Sequence, residues 1–368
     1  MNDSVRWPRR PSDPVVSMQL PRHYGSVPTL FGSPPARTAG DLAGADIVFL
    51  GVPWQAPVPD SRIGAAGSNY FGTNLTPSTF RTNSVKYGGY LPELDIDVFE
   101  RLRLMDYGDV EISNDHAVTF DTTIARVKEI VRAGAIPFTL GGNSGPSTWG
   151  VLKAIAEEAR GPVTVINFDA HHDNLTGEID EDDPRMPRWG STWARRILDL
   201  PNVDPARYTH IGLRGPRNDR EVIDRFVAKG ARRENIFTYW QIARARREGF
   251  EEWIASVVRP QIDGADRVWV AVDPDVLDMG ATGDFGDEPL GLHVAEVCWG
   301  AYEIGRAAGR ARFGGIAFMA VPFDAMKLHW IMMYIFLYAM AGVVAATDDA
   351  GRHGQAGESS QDDDPTSR

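Results

Sequence analysis

The chain is short of cysteine and of positive charge, and both shortages limit what it can do. Cys298 is the single cysteine among 368 residues, so an internal disulfide is excluded and a buried apolar thiol is the favoured interpretation. The 38 Lys and Arg residues are outnumbered by 50 Asp and Glu, for a formal charge of −12. This charge, with no basic block to offset it, argues against a nucleic-acid partner. The cysteine usage favours the reducing cytoplasm.

Long hydrophobic runs are also rare. Residues 1–40 contain Arg and Pro but no continuous apolar stretch, so we interpret them as an irregular arm and not as a signal peptide. Residues 330–346 are apolar throughout and about as long as a short membrane span. Because this run stands alone and follows a sheet pattern, it predicts a helix in the core or at a subunit contact, with no membrane partner. Residues 347–368 predict a disordered acidic tail.

Between these ends, residues 41–346 predict one α/β domain. Short β-branched and aromatic runs alternate there with stretches whose apolar residues recur at helical spacing. The predicted strands are residues 46–51, 102–105, 136–140, 163–168, 208–213, 236–239, 268–272 and 316–319. The predicted helices are residues 122–132, 148–159, 192–198, 221–229, 250–258 and 294–308. This alternation predicts a three-layer α-β-α fold around a mostly parallel sheet of about eight strands.

Two of the predicted strands end in metal-ligand side chains at alternate positions, so each set points to one side of its strand. Both sets lie at carboxyl ends of strands, where parallel sheets bind ligands. Four carboxylates and one imidazole would repel one another unless divalent cations sat among them or a saturated hydrogen-bond network replaced the cations. The pattern therefore predicts a binuclear metal site of a hydrolase. The candidate ligands are Asp169, His171, Asp173, Asp273 and Asp275.

Three neighbouring features carry weaker signals. His172 is out of phase with the candidate ligands, which favours a loop-facing or outer position. Asp278 is expected to support its loop through hydrogen bonds from its side chain to the backbone. The glycine-rich stretch at residues 141–147 lacks the lysine of a phosphate-binding loop, so a tight turn from strand to helix is the better interpretation.

These motifs resemble those of the ureohydrolase family, which comprises arginase, agmatinase and hydrolases of guanidine and guanidino acids. The resemblance covers most of residues 45–345. It is carried mainly by the turn at 141–147 and by the two acidic strand ends. Supporting matches occur at residues 46–53, 106–109 and 211–215.

The resemblance implies an arginase-like fold and a specific division of the ligands. In that family two manganese or nickel ions activate water for attack on a guanidinium carbon. Matched residue by residue, Asp169 and Asp273 would bridge the ions. His171 and Asp275 would bind one ion, and Asp173 would bind the other. A small cationic guanidino substrate and a trimeric or hexameric assembly are also implied.

Three positions depart from the family pattern. Ser144 stands where the glycine-rich turn supplies a histidine ligand, and a hydroxyl is a poor replacement for a nitrogen ligand. Trp189 stands where the family has a proton-shuttling histidine, and indole does not exchange a proton near neutral pH. Ala320 replaces the glutamate that pairs with the cationic substrate, although Asp324 follows closely enough to substitute for it. Together these departures predict an impaired catalyst.

Three hypotheses follow from this combination. In the first, the chain is the assembly-supporting partner of a homologous catalytic subunit, in an amidinohydrolase complex for guanidino or biguanide compounds such as metformin. In the second, it is a self-sufficient guanidine or agmatine hydrolase with an altered metal site. In the third, it is a metal-free binding protein, which requires at least one of the acids to be protonated near neutral pH. A misaligned motif remains an alternative, with His172 or His116 completing the site.

Overall fold

The computed structural model describes residues 20–54, 72–113, 115–142, 145–174, 190–283, 285 and 288–358. In chain order its strands are β1 (Arg22–Tyr24), β2 (Val27–Pro28), β3 (Ile47–Gly51), β4 (Tyr90–Leu91), β5 (Ile96–Asp97), β6 (Leu104–Asp109), β7 (Ile136–Leu140), β8 (Val163–Phe168), β9 (Thr209–Leu213), β10 (Ile236–Thr238), β11 (Arg267–Val272) and β12 (Phe313–Phe318). β1 with β2 and β4 with β5 form small antiparallel pairs, and the other eight strands form one sheet.

The central sheet has the strand order β10-β9-β8-β11-β12-β7-β3-β6, with all pairings parallel. Each predicted strand overlaps one of these eight. Most of their residues are buried, as expected for a parallel sheet covered on both faces. The largest difference is β6, which was predicted at residues 102–105 and extends to Asp109. The apolar pattern that predicts a buried strand is interrupted there by Asp106, which is buried in an ion pair with Arg81.

Helices cover both faces of the sheet. In chain order they are α1 (Thr76–Ser84), α2 (Val98–Arg101), α3 (His116–Arg132), α4 (Trp149–Glu158), α5 (Arg220–Ala228), α6 (Tyr239–Glu248), α7 (Phe250–Ile262), α8 (Met279–Thr282), α9 (Val294–Arg312) and α10 (Met326–Glu358). α3 and α4 pack together over β7, β11 and β12, whereas α9 packs on β11 and β12 and contacts α7 and α10. The predicted helix at residues 192–198 is a 3-10 segment, Gly190–Asp199. The predicted three-layer fold is confirmed.

α10 is the apolar helix that was predicted near residues 330–346. By length and composition it could cross a membrane, but 61% of its most apolar window is buried in the protein. Phe336 stacks on Phe138 of the sheet with ring centroids 4.3 Å apart. The backbones of α10 and α9 are in close contact at Gly305 and Gly342. A Cβ added to either glycine would lie 2.0 Å from a carbonyl oxygen of the other helix. These contacts support a helix in the core.

The segment predicted as an irregular arm differs from that expectation within residues 20–40. β1 and β2 pair there, and Leu30 and Phe31 are fully or almost fully buried. The backbone N–H of Leu30 donates to Asp106 Oδ2 at 2.8 Å. Burial of these apolar side chains fixes the segment against α1 and the sheet. Residues 1–19 lie outside the described residues.

A buried ion network holds this segment in place. Arg81 of α1 is fully buried, and its Nε and Nη2 donate to the two carboxylate oxygens of Asp106 at 2.8 and 3.0 Å. Its Nη1 donates to Asp109 at 2.7 Å. Burial opposes ionisation of Asp106, but Arg81 and His23 outweigh it and hold the pKa of this carboxyl well below its usual range.

The carboxyl end of α10 lies inside the segment predicted to be a disordered tail. The helix continues to Glu358, and residues 359–368 lie outside the described residues. Asp348 pairs with Arg101, and Asp349 accepts from Arg306 at 3.1 Å. These ion pairs connect the part of the helix beyond its apolar residues to α2 and α9, and sequence composition alone did not indicate them.

Candidate metal centre

The sheet order places the two acidic motifs side by side. β8 and β11 are neighbours, and their last residues, Phe168 and Val272, are paired in the register. The backbone N–H of Asp273 donates to the carbonyl of Phe168 at 2.9 Å. Asp169 and Asp273 each follow one member of this pair. They therefore lie together at the carboxyl edge of the sheet, where parallel sheets bind ligands.

Three of the predicted ligands converge closely. Asp169, His171 and Asp275 are buried, and each offers a ligand atom within 4.8 Å of the others. His171 Nδ1 lies 2.9 Å from Asp275 Oδ2. Backbone N–H groups hold both carboxylates, since Ala170 donates to Asp275 at 3.1 Å and His171 donates to Asp169 at 2.7 Å. We refer to Asp169, His171 and Asp275 as the ligand triad.

Asp273 and Asp173 lie beside the ligand triad. Asp273 is buried, and its Oδ1 accepts the backbone N–H of Asp275 at 2.9 Å. Asp173 is half-buried and has a left-handed backbone, with φ of 47°. Its Oδ2 accepts the indole N–H of Trp193 at 2.8 Å. The sequence pattern did not indicate Trp193 as a partner of the site.

The acidic side chains perturb one another strongly. Burial, and then the neighbouring carboxylates, raises the pKa of Asp169 and of Asp273 well above the usual range. Burial raises the pKa of Asp173 to about 7. Burial also opposes ionisation of Asp275, but the His171 imidazole outweighs it and lowers the pKa of Asp275 to about 2. The site therefore concentrates more negative charge than the surrounding protein stabilises.

These residues fit a divalent cation. Carboxylate oxygens and an imidazole nitrogen are ligands that manganese and nickel both accept. Where burial and neighbouring carboxylates raise the pKa of a carboxyl group, a nearby cation stabilises its ionised form most strongly. The ligand triad would hold such an ion, with Asp273 and Asp173 beside it.

Two further residues contact the ligand triad, and the sequence pattern did not indicate this role for either of them. Glu288 is 4% exposed, and its Oε1 lies 3.3 Å from His171 Nε2. Arg214 directly follows β9 and is buried. It lies within residues 211–215, a supporting match to the family, and no role was assigned to it from the sequence. Its guanidinium donates to the backbone carbonyls of Gly212, Asp275, Val276, Leu277, Glu288 and Pro289. Arg214 therefore ties the loop of Asp275 to the loop of Glu288.

The two alternative histidines lie outside the ligand triad. His172 is 1% exposed and stacks on His210, with ring centroids 5.0 Å apart. His116 begins α3 and packs edge-on against Trp54 at 5.4 Å. Neither placement supports a misaligned motif. Asp278 accepts the backbone N–H of Gly280 at 2.9 Å, which confirms its predicted supporting role.

The structure describes one of the three departures from the family pattern. Ala320 is 3% exposed, and its N–H donates to the carbonyl of Gly142 at 3.0 Å, where the turn after β7 meets the end of β12. Its methyl group offers no charge to a substrate. Asp324 is exposed and does not belong to the ligand triad. Ser144 and Trp189 lie outside the described residues.

Comparison with known proteins identifies the family. A model of the Arginase family matches residues 45–305 of the chain. This chain belongs to the arginase family. It is 30% identical over 185 residues to the mitochondrial agmatinase of Gallus gallus, covering 49% of this chain and 48% of that protein. It is 31% identical over 176 residues to the mitochondrial guanidino acid hydrolase of Homo sapiens, covering 47% and 45%. The arginase-family chain thus spans about half the length of these curated relatives.

Solved structures extend the similarity over most of this arginase-family chain. Formimidoylglutamase of Bacillus subtilis superposes with a TM-score of 0.70 at 23% identity, covering 89% of this chain and 96% of that one. Proclavaminate amidino hydrolase of Streptomyces clavuligerus gives 0.68 at 23% identity, with coverages of 87% and 99%. Formiminoglutamase of Trypanosoma cruzi, determined with Mn²⁺, gives 0.68 at 19% identity, with coverages of 86% and 98%. These similarities support the arginase-like fold.

Proposed function

We propose that this chain is a subunit of a metal-dependent hydrolase that cleaves C–N bonds of guanidino or biguanide compounds such as metformin. Its own site is impaired, and its role is to support a homologous catalytic subunit in a trimer or hexamer. One observation carries this proposal. Among the described residues, the ligand triad contains a single imidazole, His171, and Asp173 is engaged by the indole of Trp193 instead.

Ligand chemistry explains why this observation matters. A nickel or manganese ion at the ligand triad would supply Lewis-acid activation of water. A second ion beside Asp173 would have to compete with the Trp193 N–H for one carboxylate oxygen. Ala320 also leaves the guanidinium of a substrate without the expected carboxylate. The acidic site still attracts cations, so we expect it to retain cation binding while its hydrolytic activity is reduced.

Purification of the chain alone and together with a homologous ureohydrolase subunit tests the proposal. We expect little hydrolysis of metformin, agmatine or 4-guanidinobutyrate by the chain alone with nickel or manganese added. Co-expression should give a stable hetero-oligomer that hydrolyses at least one of these compounds. Full activity of the chain alone would reject the partner role, and failure to co-purify would reject the assembly role.

A self-sufficient hydrolase is the second candidate, because three family ligands do converge in the ligand triad. Replacing Asp273 by Asn separates the two candidates. In a self-sufficient enzyme the change should reduce turnover on the order of a thousand-fold, since a bound ion contributes several kcal/mol to transition-state stabilisation. In a supporting subunit, the same change should leave the activity of the hetero-oligomer within a few-fold of the unmodified complex.

The matched control is Asp278→Asn, which changes a carboxylate on the same loop. Asp278 caps α8 through its bond to Gly280, and Asn also caps helices well. We expect this variant to retain the activity of the parent protein under either candidate function. A large loss in both variants would show that the loop, rather than the ligand set, had been disturbed.

A further inference from the structure

Glu288 lies beside the ligand triad in a position that its sequence context does not explain. It is 4% exposed, and its Oε1 lies 3.3 Å from Nε2 of His171. The other ring nitrogen, Nδ1, lies 2.9 Å from Asp275 Oδ2 and faces the ligand triad. One imidazole therefore stands between a buried carboxylate and the candidate metal ligands.

The chemistry of imidazole relates the roles of the two ring nitrogens. A histidine that binds a metal through one nitrogen keeps a proton on the other, and that N–H needs an acceptor. If Nδ1 is the ligand atom, Nε2 carries the proton. Glu288 Oε1 is the acceptor that the described structure places at Nε2. Such carboxylate–histidine–metal arrangements fix the ring orientation and the tautomer.

The surroundings hold Glu288 in place from two sides. A Cβ added to Gly215 would lie 2.0 Å from Glu288 Oε2, so the glycine leaves the space that the carboxylate fills. Gly215 also has φ of +83°, which favours glycine. Arg214 Nη2 donates to the carbonyls of Glu288 at 3.3 Å and of Asp275 at 2.5 Å. The backbone of Glu288 and the ligand loop are therefore held by the same guanidinium.

We propose that Glu288 is a positioning residue that accepts the Nε2–H of His171 and directs Nδ1 of the same ring towards the ion-binding side of the ligand triad. The inference rests on the metal-dependent function proposed above. It concerns a contact of this chain that the two acidic motifs do not include. Partners of this kind typically change metal affinity 10- to 100-fold when they are removed.

Calorimetric titration of the metal-free protein with Mn²⁺, and separately with Ni²⁺, tests this proposal. Glu288→Met removes the acceptor and is expected to weaken binding about 10- to 100-fold. Glu288→Gln keeps an acceptor oxygen at the same reach and is expected to restore most of the affinity. Asp278→Asn is the control and should bind as the parent does. Urea unfolding of each metal-free variant checks that the fold is retained.

The possible outcomes separate the two levels of inference. Equal affinities of the parent and Glu288→Met would overturn the positioning role while leaving the metal site intact. An equal loss in Glu288→Gln and Glu288→Met would also overturn it, because the loss would then follow the charge and not the accepted hydrogen bond. Absence of any binding by the parent would overturn the metal-dependent function itself. If Glu288→Met does not fold, the comparison of Glu288→Gln with the parent still decides, since a loss of 10-fold or more contradicts the proposal.

Discussion

Addition of Mn²⁺ or Ni²⁺ to the chelator-treated protein is expected to stabilise it strongly at pH 8 and much less at pH 5. An ion present at about a thousand times its dissociation constant contributes about 4 kcal/mol to the free energy of unfolding. The carboxyls of Asp169, Asp173 and Asp273 have raised pKa values. Without metal, their stability contribution is present below the usual carboxyl pKa and is lost as the pH rises through the raised value.

For Asp173 this window runs from the usual value of about 4 to about 7. At pH 5 protons therefore already neutralise part of the charge, so a cation has less to gain and must displace protons to bind. Thermal unfolding at pH 5 and pH 8, with EDTA or with each metal, measures the difference. In Asp273→Asn the metal-free protein should lose less stability towards pH 8. Equal metal effects at both pH values, or none, would contradict this expectation.

Replacement of Arg81 by Met is expected to destabilise the protein by about 3–5 kcal/mol, because it removes the guanidinium from a buried ion pair. Asp106 is then left with the imidazole of His23, whose Nε2 lies 3.1 Å from its Oδ1. Asp106 would keep its backbone donors, Leu30 and Gly108, but would lose the guanidinium that spans both of its oxygens. The lowered pKa of Asp106 means that its contribution is present at neutral pH and is lost on acidification. Arg81→Met should therefore also flatten the decline of stability at acidic pH.

A surface ion pair provides the matched control for that change. Arg233 pairs with Asp224, and their side chains are 56% and 52% exposed. Exposed pairs typically contribute only about 0–1 kcal/mol. Urea unfolding of Arg233→Met should therefore nearly match that of the parent. If both variants lost similar stability, burial of the Arg81 network would not explain its effect.

The strands of this fold were predictable because a parallel sheet buries both of its faces. Runs such as Val163–Phe168 contain mostly apolar residues, and short apolar runs of this kind are typical of buried strands. β6 was harder to predict, since Asp106 interrupts its pattern and is compensated by Arg81 from a distant helix. α1 was missed for the same reason, because the buried face of Thr76–Ser84 includes this arginine. Polar residues that pair across the fold are not visible in local periodicity.

The part of the site that lies at the ends of strands could be predicted from the sequence. Alternation after β8 and β11 placed Asp169 and Asp275 on the sheet edge, and the register of the two strands then brings them together. Glu288 had no such signal, because it lies in a loop without strand or helical periodicity. Its approach to His171 depends on the carbonyls that Arg214 gathers from three segments. That arrangement exists only after the chain has folded.

The close contact between α9 and α10 also affects how the protein is made. α10 follows every other described element along the chain, so the backbone surface at Gly305 lacks Ala339, and the ring of Phe138 lacks Phe336, until α10 leaves the ribosome. A growing polypeptide exposes this apolar layer to its surroundings until α10 is made. Molecular chaperones that shield such surfaces are therefore expected to engage the nascent chain until residues beyond 326 emerge.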